Sequence, residues 1–177
     1  MDTSQLLYQQ GLAFHRQGLL DKAKQAYKQA VKFNPRHAPA WHALGVMAAQ
    51  ADNATTGLEL LFKALAIEPQ NPVYLTNASN ALIALNRFDE AKKLCQQALQ
   101  IKPDYTPALR NQGVASIKLM HYPEALECFD KALQINPDLD ELLLLLANTL
   151  LDLKAYDDAI AAADRLLALQ PNSFDAH

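Results

Sequence analysis

Five histidines, two cysteines and nineteen carboxylates are the side chains that could do chemistry in this 177-residue chain. Two imidazoles one helical turn apart with an acid between them would hold zinc and activate water. His15, His37, His42, His121 and His177 include no such pair. His37 and His42 straddle a short turn and read as scattered surface imidazoles. No glycine-rich phosphate loop, dinucleotide fingerprint or nucleophile elbow is present. Cys95 and Cys128 form no C-x-x-C pair and have no histidine at metal spacing. Reduced thiols in a cytoplasmic setting are the simplest reading. Cys95 is expected to be buried and inert, while Cys128, beside Phe129, leaves an exposed thiol open. No catalytic residue, metal or cofactor is assigned.

The totals agree with a binding rather than a coating role. About half the residues are hydrophobic, enough for a substantial core, and the net charge is −3. Lys92, Lys93 and Lys131 are interleaved with acids, as on a solvated face, so no nucleic-acid partner is expected. The greasiest stretch, Leu142 to Leu146, is far shorter than the roughly 20 residues needed to cross a bilayer, so no membrane insertion is expected. The first ten residues lack the basic-then-apolar pattern of a signal peptide.

The elements that would position any site come from a repeat. Pro35, Pro69, Pro103, Pro137 and Pro171 stand 34 residues apart, each closing a similar phrase: VKFNP, LAIEP, LQIKP, LQINP, LALQP. Ala23, Gly57, Ala91, Ala125 and Ala159 share one phase, and Gly11, Gly45 and Gly113 share another, filled by Ser79 and Ala147 elsewhere. One further phase holds Tyr27, Leu61, Cys95 and Phe129, mostly bulky, with Ala163 the fifth. Small residues belong where helices cross closely, with large ones filling the adjoining groove. Proline follows a helix that it cannot continue.

Two amphipathic helices are predicted per repeat. The first runs over 4–17, 38–51, 72–85, 106–119 and 140–153. The second runs over 20–33, 54–67, 88–101, 122–135 and 156–169. Asp21, Asp89 and Asp157 read as N-caps, Pro39, Pro107 and Pro123 as first-turn prolines, and Gly18 as a turn residue. The chain is thus expected to be one all-α domain over 1–177. Its repeats are 4–37, 38–71, 72–105, 106–139 and 140–173, with 174–177 starting a sixth repeat or cap.

This pattern resembles the tetratricopeptide repeat. Repeat two carries Trp41, Leu44, Gly45, Ala64 and Pro69 in place, departing at Ala48 and Gly57. Repeat one carries Gly11, Phe14, Ala23, Tyr27, Ala30 and Pro35, and repeat four carries Gly113, Ala125, Phe129, Ala132 and Pro137. The resemblance implies a right-handed α-solenoid of five helix-turn-helix repeats whose first helices line a concave, partner-binding face. On that face it places Tyr8, Gln9 and Leu12; His42, Ala43 and Val46; Thr76, Asn77 and Asn80; Arg110, Asn111 and Val114; and Leu144, Leu145 and Asn148. The amides there suit the backbone of an extended peptide or partner protein. Asn77 and Asn111 share a phase and could begin an asparagine ladder.

Chaperone-binding members of the family clamp a C-terminal carboxylate with lysine, arginine and asparagine. The best window here, Thr76, Asn80, Asn111, Glu141 and Leu145, lacks the cations, so no clamp is expected. The phrases LTNASNALIALNRFDEA and IKPDYTPALRNQGVA are similar to arrays fused to bacterial O-linked N-acetylglucosamine transferases. That resemblance implies a second reading, the substrate-recruiting N-terminal arm of a larger enzyme. A third is a scaffold that self-associates through an uncapped C-terminal helix exposing Ile160, Leu166 and Leu167.

Overall fold

A computed structural model describes residues 2–137 and 139–169. The closing Pro171 and the start of a sixth repeat at 174–177 lie outside them. Ten helices and no strand are found among the described residues. The chain divides into two compact units, Met1–Arg87 and Phe88–His177.

The first unit holds α1 (Thr3–Arg16), α2 (Leu20–Phe33), α3 (Ala38–Gln50), α4 (Ala54–Ile67) and α5 (Pro72–Ala84). The second holds α6 (Phe88–Ile101), α7 (Thr106–Lys118), α8 (Tyr122–Ile135), α9 (Asp140–Asp152) and α10 (Tyr156–Leu169). Every second helix has the bounds the 34-residue period predicts, and every first helix ends one residue early.

Those early ends have one cause. Gly18, Asp52, Asn86, Met120 and Lys154 all take positive φ, between 56° and 73°. They stand 34 residues apart. The next backbone N–H reaches back five residues in each turn, as in Leu19 to Phe14, Asn53 to Ala48 and Arg87 to Leu82. This left-handed closure satisfies carbonyls that the end of a helix leaves free.

The helix starts correct the capping expectation. Asp21, Asp89 and Asp157 each lie second in their helices, inside the first turn. There a carboxylate meets the positive end of the helix dipole without capping it. The caps are residues just outside the helix. Asn53 Oδ1 accepts the Thr56 N–H, and Asn71 Oδ1 accepts those of Val73 and Tyr74. His37 Nδ1 accepts the Ala40 N–H, and its Nε2 pairs with Gln5 Oε1. His37 is 7% exposed, so it is a buried cap and not a surface imidazole. Pro39, Pro107 and Pro123 are in first turns, as expected.

Helix crossings follow the small–large rule. A Cβ built on Gly11 would overlap the Tyr27 ring, and one on Gly113 would overlap the Phe129 ring. Both rings are fully buried. In the first unit Tyr27 packs with Ala23, Ala30, Ala40 and Leu44. In the second, Phe129 joins a cluster with Leu142, Leu143, Leu146 and Leu166. Leu166 is therefore buried, contrary to the exposed edge expected of α10, because it turns toward α9. Ile160 is exposed and Leu167 is half-buried.

Candidate functional site

The first-helix residues of the first unit form a connected polar–aromatic surface. Tyr8 on α1 is half-buried, with its ring 5.7 Å from that of Tyr27 and 5.1 Å from that of His37. Gln9 beside it is exposed. On α3, the His42 ring stacks on Tyr74 of α5 at 4.5 Å and 23°. His42 Nε2 lies 2.6 Å from Asn77 Nδ2. Asn77 donates this bond, so His42 is neutral there and carries its proton on Nδ1.

The electrostatics agree with that state. Burial holds the His42 imidazole below its ordinary 6.5, against a smaller upward pull from Glu68. Burial first, and then the Glu68 carboxylate, push the Tyr74 phenol well above its ordinary value. Glu68 also accepts a hydrogen bond from the Asn71 amide at 2.9 Å. A cleft of about 210 Å³ opens beside Asn77. Val46, Asn77 and Asn80 line it, and Ala49, Ala54, Ala81 and Ala84 keep its walls low.

Two predicted residues are withdrawn from solvent. Thr76 is 4% exposed, and its hydroxyl donates to the Pro72 carbonyl one turn back. Asn111 is also 4% exposed, and its Oδ1 accepts from Arg110 Nη1 at 3.0 Å. Asn77 and Asn111 are thus each engaged inside their own units, Asn77 by His42 and Asn111 by Arg110.

In the second unit, Arg110 on α7 gives Nε and Nη2 to Glu141 on α9. This pair commits the Arg110 guanidinium to a carboxylate of its own unit. Leu144 and Leu145 are half-buried, and Asn148 is exposed. Lys92 pairs with Glu124, which also accepts from Gln112.

Neither cysteine is bridged, and both are buried. Burial pushes the Cys128 thiol up to about 11, so it is a protonated packing residue and not an exposed nucleophile. No cluster of three metal-ligating side chains occurs among the described residues. No described helix is long and apolar enough to cross a membrane.

Sequence reasoning missed Tyr74 and Glu68. Tyr74 occupies a phase held elsewhere by Leu6, Ala40, Ala108 and Leu142. An aromatic at an otherwise aliphatic phase, three residues before Asn77, was the available signal.

Two family models, both described as tetratricopeptide repeat, match residues 47–111 and 120–177 in one case and 8–72 in the other. No curated protein matches the chain in sequence. Among solved structures, PilF of Pseudomonas aeruginosa superposes with a TM-score of 0.86 at 24% identity, covering 98% of this chain and 79% of that one. PilW, described as a widely conserved type IV pilus biogenesis factor, gives 0.88 at 21% identity, covering 96% and 78%. YrrB, described as having an unusual peptide-binding site, gives 0.78 at 18% identity, covering 96% and 88%. At these identities the likeness is one of fold.

Proposed function

The chain belongs to the tetratricopeptide repeat family, and from that premise we propose that it is a non-catalytic scaffold binding an extended peptide or partner protein on its first-helix face. One observation carries the reading. In the first unit His42, Tyr74 and Asn77 are pre-assembled beside a cleft lined by Val46, Asn77 and Asn80. The exposed Asn80 amide offers a donor and an acceptor to a peptide backbone, and the buried Tyr74 ring stacked under half-buried His42 holds the Asn77 amide in place. Tyr8 and Gln9 extend this surface along α1. Arg110, Leu144 and Asn148 are its counterparts in the second unit, where Arg110 is already paired. Thr76 and Asn111 serve as supports for the face and not as contacts.

The test is selection of peptides from a random display library on the immobilised full chain. Selected peptides should lose about tenfold in affinity with Asn77→Ala plus Asn80→Ala. Unchanged affinity in that double variant sinks the choice of residues. An arm that recruits substrates for a glycosyltransferase would use the same face, and a catalytic domain in the same gene would identify that case. We further propose a cytoplasmic setting, a reading that the two free thiols support.

A further inference from the structure

A second groove lies on the opposite side of α3 from His42 and Val46. Its volume is about 490 Å³, and α2, α3 and α4 enclose it within the first unit. Val31, Leu44, Ala48 and Leu60 form its floor and Trp41 a wall. The indole is fixed in place. Its Nε1 donates to the Pro35 carbonyl at 2.8 Å, and Lys63 Nζ sits 4.6 Å from the ring.

Repeat two departs from its siblings along this groove. Ala48 stands where the other repeats hold Phe14, Leu82, Ser116 and Leu150. Ala51 stands where they hold Gln17, Leu85, Leu119 and Leu153. Two side chains that would fill the space are cut back to methyls.

The rim is basic. Lys24 and Lys28 of α2 are exposed beside the opening, and no carboxylate lines it. The same place recurs in the second unit, three repeats on, at about 390 Å³. There Leu126 and Asp130 replace Lys24 and Lys28, Asp158 replaces Thr56, and Leu150 replaces Ala48. Arg165 also lines it, so two carboxylates and one guanidinium stand where the first groove has only lysines, and Leu150 narrows the floor. Both repeats carry the concavity, and the wholly basic rim distinguishes the one at Trp41.

We infer that the Trp41 groove is a second docking site, for an acidic partner segment that inserts large apolar side chains over the Ala48 floor and places carboxylates on Lys24 and Lys28. An apolar concavity of this size with a few charges at its edge is how helical segments are held in grooves. The like-charged rim selects against basic segments. The inference does not depend on the first-helix face.

Trp41 is the chain's only tryptophan, so its emission reports the groove directly. The probe is a helical peptide of about 14 residues, four turns, with two leucines one turn apart flanked by glutamates. Its control has lysine for every glutamate. The acidic peptide should shift Trp41 emission saturably in the full chain, and the basic one should not. Lys24→Glu plus Lys28→Glu, both at exposed positions, should weaken the acidic peptide by about tenfold or more and favour the basic one. Ala48→Leu should block insertion, with circular dichroism confirming the fold. His42→Ala and Asn77→Ala should leave this response unchanged even if they abolish binding at the first-helix face. The proposal is overturned by no saturable response, by equal responses to the two peptides, or by indifference to charge reversal. An emission shift that tracks protein concentration without peptide also overturns it, because a second copy then occupies the groove.

Discussion

Gly113 and Phe129 illustrate how much one missing methyl group decides. The residue sixteen places after each of Gly11, Gly45 and Gly113 is large: Tyr27, Leu61 and Phe129. Where the later residue shrinks to Cys95 or Ala163, the earlier one grows to Ser79 or Ala147. This compensation is legible in the sequence once the period is found. Gly113→Ala should cost about 1–3 kcal/mol in urea unfolding, since the added Cβ displaces a buried ring. Phe129→Leu in the same chain should recover part of that loss, giving a coupling that an additive pair would not show. The turns were less legible. Gly18 announces its positive φ by type, while Met120 and Lys154 adopt the same geometry with ordinary side chains. Nothing approaches a Cβ built on Gly18, so Gly18→Ala should lose about 1 kcal/mol through backbone strain alone. Met120 is 72% exposed, so Met120→Gly relieves strain without losing packing. It should raise the unfolding midpoint, by less than the Gly18→Ala loss because glycine adds unfolded-state entropy.

Helix boundaries were readable because proline and the small-residue phases recur in register, and five copies outvote local ambiguity. Capping was not readable. An acid near a helix start has one meaning at the cap and another one residue inside it, and period alone does not set that offset. Asn53→Ala and Asn71→Ala should each cost about 0.5–2 kcal/mol, whereas Asp89→Ala should cost only a few tenths. His42 links α3 to α5 and makes that contact sensitive to pH. Its folded-state pKa lies below 6.5, so between those two values the unfolded chain holds a proton that the folded chain does not. The stability contributed by neutral His42 is complete above 6.5 and is lost as pH falls through that window. Urea midpoints at about pH 7.5 and about pH 5.5 should differ less in His42→Gln than in the natural chain.

The whole molecule carries its charge unevenly. Residues 1–87 hold eight Lys and Arg against five acids, and residues 88–177 hold eight against fourteen. The net value of −3 hides that contrast. The candidate face was legible only as a set of repeat positions. The family pattern names the first-helix residues, but Thr76 and Asn111 show that the same pattern includes buried ones, and depth within a helix pair depends on neighbours that a period does not specify. Repeat arrays open locally, so a defect should be felt first in its own unit. Hydrogen exchange should show Gly11→Ala lowering protection over α1 and α2 before α7 and α8, and Gly113→Ala the reverse. The glycine–ring contact also sets a rule for recombination. Each small residue and its large partner travel in one repeat, so whole repeats can be exchanged without breaking the match. A splice inside a repeat, joining the Ala147 helix to the Tyr27 helix, would set a methyl group against a ring that only glycine accommodates. The inheritable unit of this fold is therefore the helix pair, and a single helix is not an interchangeable part.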